Sequence, residues 1–400
     1  MEILKIIINS IEIFLYLYLG LTAIYLLFFA IAGFHTRKVK TEVLNAYRKV
    51  AVLIPGYKED AVILEVARKA LEQDYPRDFF EVIIVADSFS KKTLVELKKM
   101  PLKVVEVNFD VSTKAKALNK AMETIGDDYD VALILDADNI MEVNFISKIN
   151  SAFNNGFLIV QGHRIAKNIN NSFAILDAIS EEINNYIFRK AHRSIGLSSA
   201  LIGSGMAFDY SLFKNSMKGI DAIGGFDKQL EMYYLKHNYK IEYVADAIVK
   251  DEKVQKSEVF ANQRRRWLSA QFIYFGKNIG SALVHLLTKG NIDYFDKVVQ
   301  MGQLPRIILL GLIGIITILS GVTNLIFTEN IFYISFYEWL VMLFIIVLAL
   351  LLSVPKSFYN QKTFSALLTL PKGFLLMFVS MLRFKGANKK FIHTQHGKVE

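Results

Sequence analysis

The chain has 400 residues, of which 53% are hydrophobic, with a mean hydropathy of +0.31 and a net charge of +9. This apolar content exceeds what a soluble core of this size needs, so we expect a membrane component. The absence of cysteine excludes disulfides and thiolate metal sites, and fits a domain that faces the cytosol. The positive charge suits anionic lipid headgroups or a phosphorylated substrate, although charge alone does not separate these partners from nucleic acid.

The first apolar run covers residues 11–34 and exceeds the roughly 20 residues that a helix needs to cross a bilayer. It is too long for a signal-peptide core and lacks a small-residue cleavage site. Arg37, Lys38 and Lys40 follow it, and these cations place its C-terminal end in the cytoplasm. We therefore predict an N-terminal transmembrane helix within residues 1–40.

The middle of the chain, residues 41–277, is predicted to be a cytosolic domain. Short apolar runs alternate there with helical patterns, which indicates βαβ units and a largely parallel sheet. Ligands bind outside the carboxyl ends of the strands in such a sheet, so polar residues at those ends are candidate site residues. The strands that end in such residues are predicted over 49–55, 81–87 and 130–138.

Two acids, Asp136 and Asp138, end the third of these runs. Side chains alternate along a strand, so we expect both acids to face the same side. Two carboxylates this close repel each other, and a hard divalent cation such as Mg²⁺ or Mn²⁺ relieves the repulsion while it keeps open positions for phosphate. The alternative, from this pattern alone, is a solvated turn in which an aspartate caps a helix.

Residues 278–304 are amphipathic and predict a helix in the membrane interface. Two apolar spans follow, over 305–327 and 332–354, separated by only four residues. They are predicted to form a tight transmembrane hairpin within 305–355, with Arg306 at an inner end.

A last apolar stretch, residues 364–384, is interrupted at Pro371. Spanning the membrane there would send a cationic segment outside, against the charge bias of membrane proteins. We therefore predict that residues 356–400 form short interfacial helices and a cytosolic tail. His393 and His396 belong to that tail and have no third ligand beside them, which argues against a metal site.

Five short segments stand in a fixed order along the chain: VLIPGYKED, VIIVADSFS, KAKALN, LDADN and NQRRRW. In this order and at these separations they resemble family 2 glycosyltransferases, in particular the membrane-embedded branch of cellulose, chitin, hyaluronan and poly-N-acetylglucosamine synthases. The resemblance covers about residues 51–267 and the flanking membrane helices. Its most specific element is QxxRW, present as Gln263, Arg266 and Trp267.

The resemblance implies an α/β GT-A fold, Rossmann-like with a mainly parallel sheet and flanked by transmembrane helices. It also implies a nucleotide-sugar donor, usually a UDP-sugar, a divalent metal, and inversion at the anomeric carbon. By this resemblance Asp87 pairs with the nucleobase, and Tyr57 and Glu59 lie in the loop around the nucleoside. Lys114 matches a lysine near the diphosphate.

In the same comparison Asp138 matches the metal-binding acid, and Asp136 lies beside the ribose and diphosphate. The family's catalytic base is the aspartate of a TED or GED element, and the matching residue is Asp227. The usual glutamate is replaced by Phe226. One carboxylate is enough to take the acceptor proton, but this departure puts in doubt how the acceptor hydroxyl is held. Glu231, one helical turn further on, is the alternative base.

On a helix, Gln263, Arg266 and Trp267 lie at i, i+3 and i+4 and share one face. An amide, a guanidinium fork for phosphate and an indole plate for a sugar ring would then converge. Arg264 and Arg265 are expected to turn elsewhere, towards lipid phosphates. Taken alone, the same pattern also fits a basic interfacial helix with a membrane-belt tryptophan.

We predict a membrane-bound inverting glycosyltransferase that adds sugar from a UDP-sugar to a growing β-linked polysaccharide. It is expected in the inner (plasma) membrane with its catalytic domain in the cytoplasm, in contact with membrane lipids and without a nucleic-acid partner. About three spans are few for a secreting channel, so an export partner or a homo-oligomer is expected. The first alternative is transfer of one sugar to a lipid-linked acceptor. The second, favoured only by Phe226, is a catalytically inactive membrane scaffold.

Overall fold

The computed structural model describes residues 2–35, 46–220, 224–253, 257–326 and 332–383. Within these ranges the strands are β1 Val50–Tyr57, β2 Phe80–Asp87, β3 Lys103–Val107, β4 Val131–Ile134, β5 Ile140–Met141, β6 Ile159–Ala166, β7 Met206–Asp209 and β8 Glu242–Asp251. The helices are α1 Glu2–Ala32, α2 Ile63–Leu71, α3 Lys91–Lys98, α4 Lys114–Ile125, α5 Phe145–Asn154, α6 Ser172–Asn185, α7 His192–Ser194, α8 Tyr210–Met217, α9 Phe226–Lys236, α10 Ser257–Lys289, α11 Ile292–Gly302, α12 Arg306–Ile326, α13 Phe336–Ser353, α14 Gln361–Leu367 and α15 Leu370–Leu382. A π-helical segment, Tyr186–Ala191, joins α6 to α7.

The strands form one mixed sheet in the order β3-β2-β1-β4-β7-β6-β8-β5. The pairs β1–β2, β1–β4, β2–β3 and β6–β8 are parallel, while β4–β7, β6–β7 and β5–β8 are antiparallel. The predicted α/β class with a mainly parallel sheet is therefore confirmed. The antiparallel strand β7 was not predicted as a strand, because residues 202–208 are rich in small residues and look like a turn in the sequence.

The central strands are covered on both faces, which explains their nearly continuous apolar sequences. In β1, Ala51 and Leu53 belong to the core on the side of α4, whereas Val50, Val52 and Ile54 belong to the core on the side of α2. All five are at most 1% exposed. The two packed layers fix the ends of the strands, and those ends carry the candidate site.

The strand predicted over 130–138 is shorter than expected, since β4 ends at Ile134. The backbone N–H of Asp136 donates to Ser204 Oγ at 2.9 Å, and the N–H of Asn139 donates to the Asp136 carbonyl at 3.1 Å. These bonds turn the chain away from the sheet. Asp136 and Asp138 therefore lie on a turn, and the strand alternation that was expected to place both on one side does not apply.

In the described part of the chain, three helices are long and apolar enough to cross a membrane: Lys5–Ala32, Arg306–Ile326 and Phe336–Ser353. A further pair, α14 and α15, is bent by 48° and would count as a fourth span only if both helices formed one span. The bend agrees with the prediction of two short helices after the hairpin. Whether they lie in the interface stays a prediction.

The single helix predicted over 278–304 is wrong in its boundaries. Residue 278 lies inside α10, which runs unbroken from Ser257 to Lys289, and α11 begins at Ile292. Gly290 separates the two helices with a φ of +62°, a conformation that interrupts a helix at little cost only for glycine. The cations predicted to orient the first span, Arg37, Lys38 and Lys40, lie outside the described residues. So do His393 and His396.

Candidate active site

A cavity of about 1270 Å³ joins the end of the sheet to the apolar helices α12 to α15. Its inner end is lined by Lys114, Asp136, Gly203 and Asp227. Its outer end is lined by apolar side chains of α6 and of the helices α12 to α15. The predicted catalytic residues therefore lie at one end of a space that reaches into the part of the protein expected to contact lipid.

Lys114 and Asp136 form an ion pair at the inner end of the cavity. Lys114 is the first residue of α4, and the side chain of Thr113 caps that helix by accepting from Lys116 N at 3.2 Å. The Lys114 ammonium also donates to the Gly203 carbonyl at 2.6 Å. Lys114 and Asp136 are 22% and 35% exposed, so the pair presents an ammonium group where a diphosphate can bind.

Asp227 lies in the first turn of α9, after Gly225, which has a φ of +72°. A Cβ added to Gly203 would lie 3.8 Å from the Asp227 carboxyl carbon, so this loop and the carboxylate face each other closely. Burial raises the pKa of Asp227, and Glu231 adds to this effect while Lys228 and Lys114 oppose it. A carboxylate with a raised pKa is better suited to accept a proton from a hydroxyl group.

Phe226 stands where the resemblance expects a glutamate, and its role here is in packing. It is 6% exposed, and its ring centroid lies 5.2 Å from the Lys114 ammonium. A cation over an aromatic face is attracted by the ring quadrupole. Phe226 therefore helps to position Lys114 instead of holding an acceptor hydroxyl.

Glu231, the alternative base, is fully buried and does not line the cavity. Its carboxylate accepts from Leu201 N at 2.9 Å and lies 3.3 Å from the Lys297 ammonium and 3.4 Å from the Lys228 ammonium. Burial would raise the pKa of Glu231, but the two lysines outweigh it and the pKa is lowered. A low pKa and no access to the cavity favour Asp227 over Glu231 as the base.

Asp138 lies on the same turn as Asp136 but does not line the cavity. It is 6% exposed and accepts from Asn139 Nδ2 at 3.0 Å, and the same amide donates to Asp251 at 3.1 Å. Among the described residues, no group of three His, Asp or Glu side chains could hold a metal ion. The one or two carboxylates of this turn fit a cation such as Mg²⁺ or Mn²⁺ if the other oxygen ligands come from a bound phosphate and from water.

The residues expected around the nucleoside lie at the neighbouring strand ends. Tyr57 and Asp87 are register partners at the ends of β1 and β2. Asp87 is 2% exposed and accepts a bond of 2.9 Å from Ser88 Oγ, and Glu59 is 8% exposed. A Cβ added to Gly56 would lie 3.4 Å from the Ala137 Cβ, so this strand end contacts the turn of the two acids. Neither Tyr57, Glu59 nor Asp87 lines the cavity.

Gln263, Arg266 and Trp267 all lie on α10. Arg266 and Trp267 line the cavity, and Trp267 is 43% exposed. Gln263 does not line it. The expectation that Arg264 turns elsewhere is wrong, because Arg264 lines the same cavity and forms an ion pair with Asp177 of α6. Its guanidinium lies 4.4 Å from the Trp267 ring centroid.

The cavity has cationic residues that the sequence did not single out. Arg164 of β6 and Arg189 of the π-helical segment both pair with Glu181 of α6, at 2.8 and 3.5 Å. Arg306, interpreted from the sequence only as an orientation signal, lines the cavity as well. Arg164 ends a strand-like run, QGHR at 161–164, which from the sequence is either a donor or acceptor contact or a plain strand end. No local motif marks Arg189 or Arg306 as cavity residues.

The predicted site residues thus fall into two groups. Five line the cavity: Lys114, Asp136, Asp227, Arg266 and Trp267. The other five do not line it: Tyr57, Glu59, Asp87, Asp138 and Gln263. In the second group, Tyr57, Glu59 and Asp87 lie at strand ends that adjoin the turn of Asp136. A ligand that contacts both groups of residues would therefore cross the edge of the sheet.

Comparison with known proteins gives a family match over the domain that holds these residues. Residues 48–270 match the family model described as glycosyltransferase like family 2. Two curated relatives are β-monoglucosyldiacylglycerol synthases. The protein of Trichormus variabilis is 24% identical over 246 residues, 58% of this chain and 50% of its own length. That of Synechocystis sp. is 25% identical over 236 residues, 55% of this chain and 47% of its own length. The chain thus spans about half the length of the curated relatives it matches.

Among solved structures, the chain is similar to the mannosyltransferase PcManGT from Pyrobaculum calidifontis, which was determined in complex with GDP-Man and Mn²⁺. The match has a TM-score of 0.53 and 18% identity, and covers 86% of this chain and 97% of that one. At this identity the likeness concerns the fold, which is GT-A-like with flanking apolar helices.

Proposed function

The chain belongs to the glycosyltransferase 2-like family and is a glycosyltransferase, and from this premise we propose that it transfers a sugar from a nucleotide sugar to a lipid acceptor. The observation that carries this proposal is the cavity that connects Asp227 with the membrane helices. Its outer wall includes Leu310 of α12, Leu351 of α13 and Leu367 of α14. Such a wall suits an alkyl chain, because burial of apolar surface favours association.

The proposed reaction uses groups that line the inner end. The acceptor hydroxyl attacks the anomeric carbon, its proton passes to the Asp227 carboxylate, and the bond to the diphosphate oxygen breaks with inversion. Lys114 and Arg266 stabilise the negative charge that develops on the departing diphosphate. A divalent cation held by Asp138, with Asp136 beside it, would supply further positive charge there.

We propose that Asp87, Tyr57 and Glu59 bind the nucleoside of the donor and that the donor is a UDP-sugar. A buried aspartate can accept the N3–H of uracil, which supports this choice. Guanine also presents N–H donors, and the similar mannosyltransferase was crystallised with GDP-Man. Donor-dependent release of nucleoside diphosphate, measured over a panel of UDP-sugars and GDP-mannose, decides whether the donor's nucleobase is uracil or guanine.

The membrane location follows from the same arrangement. We assign residues 41–277 to a catalytic domain on the cytoplasmic side of the inner (plasma) membrane and 305–355 to a transmembrane hairpin. The three apolar helices support this assignment. The two relatives are β-monoglucosyldiacylglycerol synthases, so by name their product is a glycolipid, and this supports a lipid acceptor.

Synthesis of a β-linked polysaccharide, with an export partner or a homo-oligomer, is the second candidate. The observation that favours it is the position of Arg266 and Trp267 at the cavity, because an indole plate can stack on a sugar ring of a growing chain. A lipid acceptor explains the apolar outer end of the same cavity, which a polysaccharide does not need.

The experiment that separates the candidates is an analysis of product size and solubility. Purified full-length protein, reconstituted with a lipid extract, is incubated with a radiolabelled donor, and the Asp227→Asn variant is the control. We expect a single organic-soluble band that this variant does not make. A ladder of water-soluble products would support polysaccharide synthesis, and equal label with the variant would contradict the catalytic assignment.

A further inference from the structure

The charge of the cavity is unbalanced. Among the described residues that line it, eight side chains are cationic and four are anionic, although two of the cations, Lys228 and Lys297, pair with Glu231 behind the wall. Three of the acids, Asp136, Asp177 and Glu181, already form ion pairs with lining cations. A neutral lipid whose only polar group is a hydroxyl needs no such excess of positive charge, because buried charges are costly unless they are paired.

Arg306 shows where in the cavity this excess of positive charge lies. Its Nη1 donates to Asn184 Oδ1 at 2.6 Å, and its Nη2 donates to the carbonyl and hydroxyl oxygens of Ser180 at 2.9 and 3.1 Å. These acceptors are neutral, and no carboxylate of the described residues lies within 4 Å of its guanidinium. The fork of Arg306 is thus held in place by neutral groups of α6, and Glu181 acts on its charge only from beyond ion-pair distance.

Arg306 is also the first residue of α12, a helix of 21 residues. The unpaired N–H groups at a helix N-terminus carry partial positive charge and favour an anion nearby. The guanidinium and the helix end therefore act in the same direction. Together they make this wall of the cavity the natural place for a phosphate group.

The position of Arg306 lies between the two ends of the cavity. Its partners Ser180 and Asn184 flank Glu181 on α6, and Glu181 binds Arg164 and Arg189 towards the sheet. On the other side, Leu310 lies one turn along α12 and belongs to the apolar wall. An anion at Arg306 would thus lie where the headgroup of a lipid meets its alkyl chain.

From this arrangement we infer that the acceptor is an anionic lipid whose headgroup carries a phosphate, and that Arg306 is the residue that binds this phosphate. The inference rests on the proposed function, since it specifies the acceptor of the same site. The transfer step is unchanged: the acceptor O–H attacks the anomeric carbon, the proton goes to Asp227, and the nucleoside diphosphate leaves.

The test compares two fractions of a membrane lipid extract as acceptors. The extract is separated by anion exchange into neutral and anionic lipids, and each fraction is reconstituted with full-length protein in phosphatidylcholine vesicles. We expect at least tenfold more label transferred to the anionic fraction. Equal or greater transfer to the neutral fraction would overturn the inference but leave the proposed function standing, whereas no transfer to either fraction would count against both.

The role of Arg306 is tested by Arg306→Gln, with Lys190→Gln as the matched control. Lys190 also carries one positive charge near the membrane helices, but it does not line the cavity and its ammonium lies 5.0 Å from the Tyr186 ring centroid. We expect Arg306→Gln to raise the acceptor KM about tenfold or more, which corresponds to one charge-assisted hydrogen bond. The donor KM is expected to stay the same, and Lys190→Gln to change neither.

The same phosphate chemistry could come from the diphosphate of the donor or from free phosphate. Suppose that Arg306→Gln raises the donor KM, or abolishes inhibition by inorganic phosphate, and leaves the acceptor KM unchanged. Arg306 would then bind the donor diphosphate or free phosphate, and the inference would be overturned. Release of nucleoside diphosphate without acceptor reports whether the donor site is folded. If Arg306→Gln loses this activity, Arg306→Lys replaces it, and an unchanged acceptor KM in that variant counts against the inference.

Discussion

Gly203 and Gly196 offer a matched pair of substitutions that tests where the acceptor approaches Asp227. Both glycines have positive φ, +87° and +90°. An alanine at either position adopts a conformation that costs about 1–2 kcal/mol for an L-residue. At Gly196 an added Cβ meets no atom of the described residues within 4 Å, whereas at Gly203 it lies 3.8 Å from the Asp227 carboxyl carbon. That distance is an ordinary contact, so neither substitution adds a clash.

The two variants are therefore expected to lose similar stability but to differ in activity. An acceptor hydroxyl must come within roughly 2.6–3.2 Å of the base, and the methyl group of Gly203→Ala occupies part of that approach. A misplacement of about 1 Å costs on the order of 100-fold in rate, so we expect such a loss of kcat/KM for Gly203→Ala. Gly196→Ala should keep activity near the wild-type level.

The assay combines thermal unfolding with initial rates of nucleoside diphosphate release in the presence of the lipid acceptor. Equal activity of the two variants at similar stability would refute the argument that the acceptor lies between Gly203 and Asp227. A much larger loss of stability for Gly203→Ala would instead show that its bond to Lys114 matters to the fold, and activity would then be compared at a temperature where both variants are folded.

The remaining variants and profiles concern pH, metal and stability. Because burial raises the pKa of Asp227 in the ligand-free protein, its base form is lost as the pH falls through that raised pKa, so the acidic limb of the kcat/KM profile should lie above the ordinary value of 3.8; a limb at or below 3.8 would contradict this. The raised pKa also means that folding favours the protonated form, so Asp227→Asn should be inactive yet no less stable at pH 7. Asp138→Asn should raise the concentration of Mn²⁺ needed for half-maximal activity by roughly tenfold or more, and an unchanged metal titration would remove Asp138 from the metal site. Arg193→Met should cost about 3–5 kcal/mol in unfolding experiments, since it leaves the buried Glu242 without its two bonds of 2.8 and 2.7 Å, whereas a loss below about 1 kcal/mol would show that the pair is dispensable.

The sequence was sufficient for the fold class, and half of the residues that it predicted for the site line the cavity. Lys114, Asp136 and Asp227 follow strand ends or open helices, so local patterns and the family resemblance both point to them, and the structure gathers them at one end of the cavity. The prediction for Asp138 was weaker because it assumed a strand up to residue 138, while the chain turns after Ile134 to bond with Ser204. A bond between residues 68 positions apart leaves no trace in a local pattern.

The cationic wall of the cavity could not be predicted as a cluster for a related reason, although the strand end at Arg164 was a possible ligand contact from the sequence. Arg164, Arg189 and Arg306 lie on β6, on the π-helical segment and on α12, and they meet only because α6 packs between them. In the sequence, an arginine before an apolar span is typical of a cytoplasmic helix end. The hydrogen bonds of Arg306 to Ser180 and Asn184 are tertiary contacts. Because of them, Arg306 is a candidate binding residue and not only a residue that orients the helix.

The most direct test of the central claim, that sugar is transferred to a lipid held in this cavity, uses two adjacent leucines. Leu367 lines the cavity, whereas Leu368 is 73% exposed and does not. A photoreactive benzoylphenylalanine is placed at either position, and the protein is irradiated after turnover with a radiolabelled donor. We predict that the labelled glycolipid is captured by Leu367→benzoylphenylalanine and not by the variant at Leu368. Equal capture at both positions, or capture only at Leu368, would contradict the account.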